Sequence, residues 1–350
     1  MNTIRRIVMR VSAVVTTAVL AQVPAQVPPP GPLAQPGKTV VFVAADFRNG
    51  GVMGVYRGLE EAARTLGWKL SLEDGRGEPA TQAELLGRAA ASNAHGIVFG
   101  GFDPTDFGAQ VASARQRRMV LVGWHAGKEP GPTKDLFVNV STHAVDVARM
   151  AAEYVIQHAR AAKRPLGVVL FNDSQYAGAN AKTEAMKKTI ESCPGYTGCR
   201  VLAIENVKIS EAAHTMPTLV PKLLAAHGAA WTYSLAINDV YFDAINYPLL
   251  LGQRTDIRNV SAGDGSSKAL GRIGAGVSQQ VATVAEPLKL HGYQLADELN
   301  RAFAGTAPSG FQSRPILVTT EVLRVTGTPG LDSTLGFEAA YAAHWNRKAP

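Results

Sequence analysis

From residue 39 onward, short apolar runs alternate with segments whose apolar positions recur at helical spacing, the pattern of repeated strand-helix-strand units around parallel sheets. Thr39 to Asp46 is the first run; the polar turn Phe47-Arg48-Asn49-Gly50-Gly51 follows, then a helix from Val52 to Leu66 that Gly67 stops. Lys69 to Leu72 predicts a second strand and Thr81 to Ala91 a second helix. Gly96 to Phe99 reads as a buried strand leading through Gly100-Gly101-Phe102-Asp103-Pro104 into a helix from Thr105 to Arg117. Met119 to Val122 is the fourth strand and ends at Gly123-Trp124-His125.

Phe137 to Val140 leads into a long helix from Thr142 to His158, after which the alternation restarts. Strands are predicted at Leu166 to Phe171, Val201 to Ile204, Trp231 to Ile237, Asn259 to Ala262 and Val281 to Ala285, with a helix from Leu288 to Phe303. The strands from Leu166 to Ala262 are each followed by a helix-compatible segment, but Pro217 and Pro221 make the helix after Val201 to Ile204 hard to place, because proline is tolerated only in a first turn. A last strand is expected from Pro315 to Val322, with a turn-rich tail behind it. Two blocks of alternation predict an α/β chain with two Rossmann-like domains, each built on a parallel sheet.

The first residues change where this chain is expected to work. Arg5, Arg6 and Arg10 precede an apolar stretch from Val11 to Leu20, and Val19-Leu20-Ala21 offers a cleavage site, so residues 1–21 read as a removed export signal. The stretch is shorter than the roughly 20 apolar residues of a membrane span, and Pro24 follows it. Residues 22–37, rich in proline and glutamine, are expected to be a disordered leader. In an oxidising compartment Cys193 and Cys199, which bracket a Pro-Gly turn, read as a small surface disulfide. A metal or redox pair would want Cys-x-x-Cys spacing or nearby histidines. The formal charge is +7, of which the signal's three arginines supply three; the remainder is scattered and does not argue for nucleic acid.

In a parallel sheet the loops after the strands lie on one edge, where ligands bind. Those loops carry Asp46, Phe47, Arg48 and Asn49, then Phe102 and Asp103, then Trp124 and His125. The second block supplies Asp173, Gln175, Tyr176 and Asn180, then Asn238 and Asp239, then Asp264. Aromatic faces stack on a sugar or heterocycle, while carboxylates and amides fix hydroxyls. Each residue also has a structural reading. Asp173, Asn238 and Asp264 are of the types that cap helices and form turns, Phe102 and Trp124 are able to cover the core edge, and Arg48 is able to be a solvated surface charge. His125 has no second histidine or cysteine at metal-ligand spacing, so no metal is expected. The chain has no dinucleotide fingerprint at its first strand-helix turn, no Gly-x-Ser-x-Gly elbow, no His-Glu-x-x-His and no phosphate-binding loop, so neither an enzyme nor a cofactor is expected.

The turn Asp46-Phe47-Arg48-Asn49, the strand Gly96-Ile97-Val98 with Asp103-Pro104, the turns Asn238-Asp239 and Gly263-Asp264-Gly265, and Ala282-Thr283-Val284-Ala285-Glu286 together carry a likeness. Over roughly residues 38–325 the chain resembles the periplasmic solute-binding proteins of the ribose-type sugar ABC transporters. The resemblance implies the type I periplasmic binding fold, in which three crossovers join two lobes that close on a ligand. It places the hinge near Asn139 to Ser141, Ala285 to Pro287 and Gln312 to Ile316. One lobe then comprises 38–140 and 287–315, and the other 141–286 and 316–350. It further implies a monomer that binds a small molecule, a sugar or polyol first, and serves an ABC transporter permease or a membrane sensor.

Carried over by position, Phe47 falls near the family's stacking aromatics, and Asn180 stands where an arginine often holds ring hydroxyls. Asn238 and Asp264 match the second lobe's amide and carboxylate, and Glu286 replaces a common hinge glutamine. After the fourth strand the family usually presents Asp-Arg, whereas this chain has Trp124-His125. That departure, with Asp46, Asp103, Asp264 and Glu286 set against Arg48 and His125, implies a more aromatic and more acidic site than one for ribose. It leaves room for another sugar, a polyol, a nucleoside or a cationic heterocycle.

Overall fold

The computed structural model describes residues 25–346 apart from 194, 195, 197, 328 and 329, so the expected signal at 1–21 and part of the Pro-Gly turn lie outside the described residues. The strands form where β-branched and aromatic residues run together with both faces covered. β1 (Thr39–Ala44) has five of its six residues buried, and β3 (Gly96–Gly100) is buried throughout. With β2 (Lys69–Asp74), β4 (Val120–Trp124) and β5 (Val138–Val140) they make one parallel sheet in the order β2-β1-β3-β4-β5. The connecting helices are α1 (Gly50–Thr65), α2 (Pro79–Ala91) and α3 (Gly108–Gln116). The expected helix from Thr105 is split, because Pro104 to Phe107 forms a 3-10 turn first.

The chain then crosses to the second lobe through α4 (Ala144–Ala161), β6 (Leu166–Asn172), α5 (Ala177–Glu191), β7 (Cys199–Asn206) and α6 (Ala212–His227). It continues with β8 (Tyr233–Ala236), α7 (Tyr241–Leu251), β9 (Arg258–Ser261), α8 (Ser267–Ala275) and β10 (Gln280–Ala285). The helix after β7 is regular despite its two internal prolines. Ala212, Met216, Val220 and Leu223 form its buried stripe, while Pro217 and Pro221 sit on the exposed side. The carbonyls those prolines leave without an N–H partner therefore face water, and burial of the stripe outweighs propensity.

After β10 the chain returns to the first lobe as α9 (Leu288–Phe303), which lies along α1. The approach is close: a Cβ on Gly58 would come 2.5 Å from the Lys289 carbonyl oxygen. β11 (Ile316–Thr319) then pairs antiparallel with β10, giving the second sheet the order β11-β10-β9-β8-β6-β7 with every other pairing parallel. β11 is shorter than the expected strand because the Thr319 hydroxyl caps α10 (Thr320–Thr326).

The expected turn-rich tail on the second lobe is corrected. It folds into α10, α11 (Gly330–Ser333) and α12 (Phe337–Trp345), and α12 packs on α9 in the first lobe. The Trp345 indole N–H donates to Asp297 at 2.9 Å, and its ring stacks on Tyr293. This apolar face of α12 finds its cover only across the molecule.

The expectation of a disordered leader is corrected for its described part. The Gln26 side chain donates to the Arg314 carbonyl at 3.0 Å and accepts from the Arg314 N–H at 2.6 Å. Arg301 donates to the Pro30 carbonyl at 2.8 Å, and the Gln35 N–H donates to Asn300 at 2.8 Å. Prolines carry little entropy to lose and keep their carbonyls as acceptors, so a proline-rich segment is readily ordered against a donor-bearing helix. Cys193 and Cys199 form the expected disulfide, joining the end of α5 to the start of β7 with Cα atoms 6.2 Å apart.

Candidate functional site

Each sheet has a switch point, between β1 and β3 in the first and between β6 and β8 in the second, where neighbouring connections diverge and leave a crevice at the strand ends. The two crevices face each other across a cavity of about 560 Å³. Asp46, Asn49, Phe102, Asp103, Trp124, His125, Tyr176, Asn238 and Asp264 line it, all expected from the sequence. Phe47, Arg48, Asp173, Asn180 and Glu286 do not line it.

The absences have local causes. Phe47 is turned over the sheet edge, where its N–H donates to Asp74 at 2.9 Å and its ring stands edge-on to Tyr56 at 5.4 Å. Arg48 folds back on its own turn and grips Asp46 with two contacts of 2.9 and 2.7 Å, its side chain 64% exposed. Asp173 ties two loops together by accepting from the N–H groups of Gln175 and Ile209. Asn180 is exposed and bonds Asn172 and Ser174.

The first lobe presents aromatic surface and carboxylates already in use. Phe102 is buried between Phe99 and Phe107. Asp103 caps the 3-10 turn by accepting from Thr105, and Asn49 caps α1 by accepting from the Gly51 N–H at 2.8 Å. Trp124 is the last residue of β4 and is buried. Its indole N–H donates to His291 Nδ1 at 3.0 Å, and its ring stacks on His125 with centroids 4.3 Å apart. Because an indole can only donate, His291 Nδ1 accepts, and Nε2 carries the proton given to Ser313 at 2.6 Å. Burial pushes His291 down to about 4, which keeps that ring neutral.

The second lobe brings the charged floor. Glu286 is buried beneath the cavity, 2.8 Å from His125 Nε2 and 3.4 Å from Lys182 Nζ. Burial alone would raise its carboxyl, but the His125 and Lys182 charges and the His125 hydrogen bond hold it well below the usual carboxylate range. The acidity expected from Asp46 and Glu286 is thus spent on Arg48, His125 and Lys182. Asp264 accepts from Asn238 Nδ2 at 2.6 Å, and burial, opposed by Lys182 and reinforced by Glu286, pushes it up to about 6. Its loop is pinned by Asp239, whose carboxylate takes the N–H groups of Asp264, Gly265 and Ser266. Burial pushes the Tyr176 hydroxyl up to about 12.

Asp264 also meets the first lobe. A Cβ on Gly51, in the first turn of α1, would come 2.3 Å from its Oδ2, so the lobes touch here only because residue 51 has no side chain. Sequence reasoning missed Lys182 as well as Thr142 in the first crossover, both of which line the cavity. Lys182 had a legible signal: Ala179, Lys182, Thr183, Met186 and Ile190 form the buried stripe of α5, so this lysine stands in an apolar register. Among the described residues no group of three or more His, Cys, Asp or Glu is placed to hold a metal ion.

A family profile described as a periplasmic binding protein domain matches residues 40–307. No curated protein matches the chain in sequence. Among solved structures, the chain is similar to an ABC transporter solute-binding protein from Agrobacterium vitis with bound allitol, at TM-score 0.68 and 16% identity, covering 83% of this chain and 98% of that one. It is also similar to a 5-methylthioribose transporter solute-binding protein from Thermotoga lettingae, at TM-score 0.71 and 14% identity over 89% and 96% of the two chains. A glucose-galactose binding protein from Geobacillus stearothermophilus gives TM-score 0.67 and 16% identity over 82% and 99%. At these identities the likeness is one of fold.

Proposed function

Because the chain belongs to the periplasmic binding protein domain family, we propose that it captures a small polyhydroxylated ligand, a sugar or polyol, between its lobes by hinge closure and delivers it to an ABC importer. The observation that carries this reading is the cavity of about 560 Å³, where Phe102 and Trp124 from one lobe face Asn238, Asp264 and Lys182 from the other. Aromatic faces take the apolar side of a sugar ring, and an amide, a carboxylate and an ammonium take its hydroxyls. Solute-binding relatives with allitol and 5-methylthioribose bound support the ligand class. Internal pairing of Asp46 and Glu286 argues against a cationic ligand.

In this reading the crossings near residues 139–141, 285–287 and 312–316 are the hinge, and the tail, which returns to the first lobe after α10, crosses a fourth time. A ligand that bridges both lobes favours the closed state through contacts the open state lacks. The protein is exported to the periplasm by cleavage of residues 1–21, works as a monomer, binds no nucleic acid and performs no chemistry on its ligand. Phe47, Arg48, Asp173 and Asn180 hold loops in place, and Glu286 orients Lys182 and His125.

Thermal unfolding of the mature protein against ribose, glucose, galactose, allitol, glycerol, nucleosides and cationic heterocycles tests the proposal. A bound sugar or polyol at a hundred times its Kd adds about 2.7 kcal/mol of stability. A shift confined to nucleosides or cations, or none across the panel, sinks it.

A further inference from the structure

We propose that Thr142 and the first turn of α4 form a subsite that holds a hydrogen-bond-accepting oxygen of the ligand and sets specificity. This inference rests on the capture reading above and goes beyond it by assigning a residue the sequence did not single out.

Residues 141–143 carry the chain from β5 to α4, and both Thr142 and Ala144 line the cavity. Thr142 is only 3% exposed, yet its Oγ1 is buried with no hydrogen-bond partner in the protein. It is the one cavity-lining side chain left so among the described residues. The neighbouring Ser141 hydroxyl is already used, donating to the Thr142 carbonyl at 2.8 Å. Buried hydroxyls are nearly always paired, and an unpaired one is costly, so Thr142, which lines the cavity while its hydroxyl lies just beneath the wall, gains a partner when a turn about its Cα–Cβ bond brings that hydroxyl to a ligand.

The helix that follows is in the same condition. The N-cap of α4 is His143, which gives the helix no side-chain cap. Its ring is engaged elsewhere, with Nδ1 3.3 Å from Glu129 and Nε2 3.3 Å from Gln312. α1 is capped by Asn49 and α8 by Ser266, whereas α5, which also starts at the cavity, shares the uncapped state of α4 but has no unpaired hydroxyl beside it among the described residues. The first-turn N–H groups of a helix seek acceptors, and at α4 no side chain supplies one. A hydroxyl and a helix N-terminus, both without side-chain partners and both at one crossover, match an acceptor oxygen.

The test compares wild type, Thr142→Val and Thr142→Ser by calorimetry with the sugar or polyol that gives the largest thermal shift in the panel above, together with unfolding of each unliganded protein. We expect Thr142→Val to weaken binding at least fivefold, Thr142→Ser to stay within fivefold of wild type, and unliganded Thr142→Val to unfold at the same or a higher temperature. Less than fivefold weakening in Thr142→Val overturns the subsite while leaving the capture reading intact. A lower unfolding temperature for unliganded Thr142→Val also overturns it, since the hydroxyl would then be satisfied inside the protein. A wild type silent across the panel overturns both readings together.

Discussion

The two lobes reach the same cavity with unlike chemistry. The first contributes rings and charges already engaged: Trp124 is tied to His291, Asp46 is gripped by Arg48, and Asn49 and Asp103 cap their own turns. The second contributes the buried Asp264 with Asn238, the ammonium of Lys182, and helix α4 without a side-chain cap. The first lobe is thus a preorganised wall, and the second carries most of the polar capacity still open to a ligand. Equivalent strand-end positions in two similar domains need not have equivalent roles, because a polar side chain is available to a ligand only after its own loop has been satisfied.

The largest expected effect comes from breaking the contact between the lobes. Gly51→Ala adds a Cβ where Asp264 already stands. Alanine favours the helix itself by about 1 kcal/mol, so a loss of binding cannot be blamed on α1. Calorimetry should show affinity reduced by about 100-fold, roughly 3 kcal/mol, and small-angle scattering should show no contraction on adding ligand. Unchanged affinity would mean that the ligand-bound arrangement does not bring Gly51 against Asp264.

Acid titration sharpens the comparison, since Asp264 of the second lobe and His291 of the first are both buried and are shifted in opposite directions. Asp264 rises from an ordinary 3.8 to about 6, so its contribution to stability is present below pH 3.8 and is lost as pH rises through 6. His291 falls from 6.5 to about 4, so its contribution is present above pH 6.5 and is lost as pH falls toward 4. Each amounts to about 3 kcal/mol, and in the wild type they largely cancel between pH 4 and 6. Denaturant unfolding should therefore show Asp264→Asn gaining stability over wild type as pH rises across this window, and His291→Gln losing stability against wild type. Differences from wild type that run in the same direction with pH in both variants would refute the assignment.

The smallest effect concerns the strap that backs the first lobe. Gln26→Ala removes two hydrogen bonds to Arg314 at the third crossover and should cost about 1–2 kcal/mol in denaturant unfolding, with ligand affinity within a few-fold of wild type. An affinity change of tenfold or more would show instead that the strap controls closure.

The alternation of apolar runs and amphipathic segments determined the two α/β lobes, the strands of both sheets and the loops that rim the cavity, because strand and helix periodicity are local properties of the chain. It therefore reached ten of the residues that line the cavity, Gln175 among them. What only the tertiary structure decided depends on partners far apart in sequence. Glu286 is fixed by Lys182 at a separation of 104 residues and by His125 at 161, and Gln26 meets Arg314 at a separation of 288. The placement of α12 on the first lobe, the turning away of Phe47 and Arg48 and the unpaired hydroxyl of Thr142 belong to the same class. Periodicity tells which face of an element is apolar, but which surface covers it, and which polar groups are left over, is settled only when the elements pack.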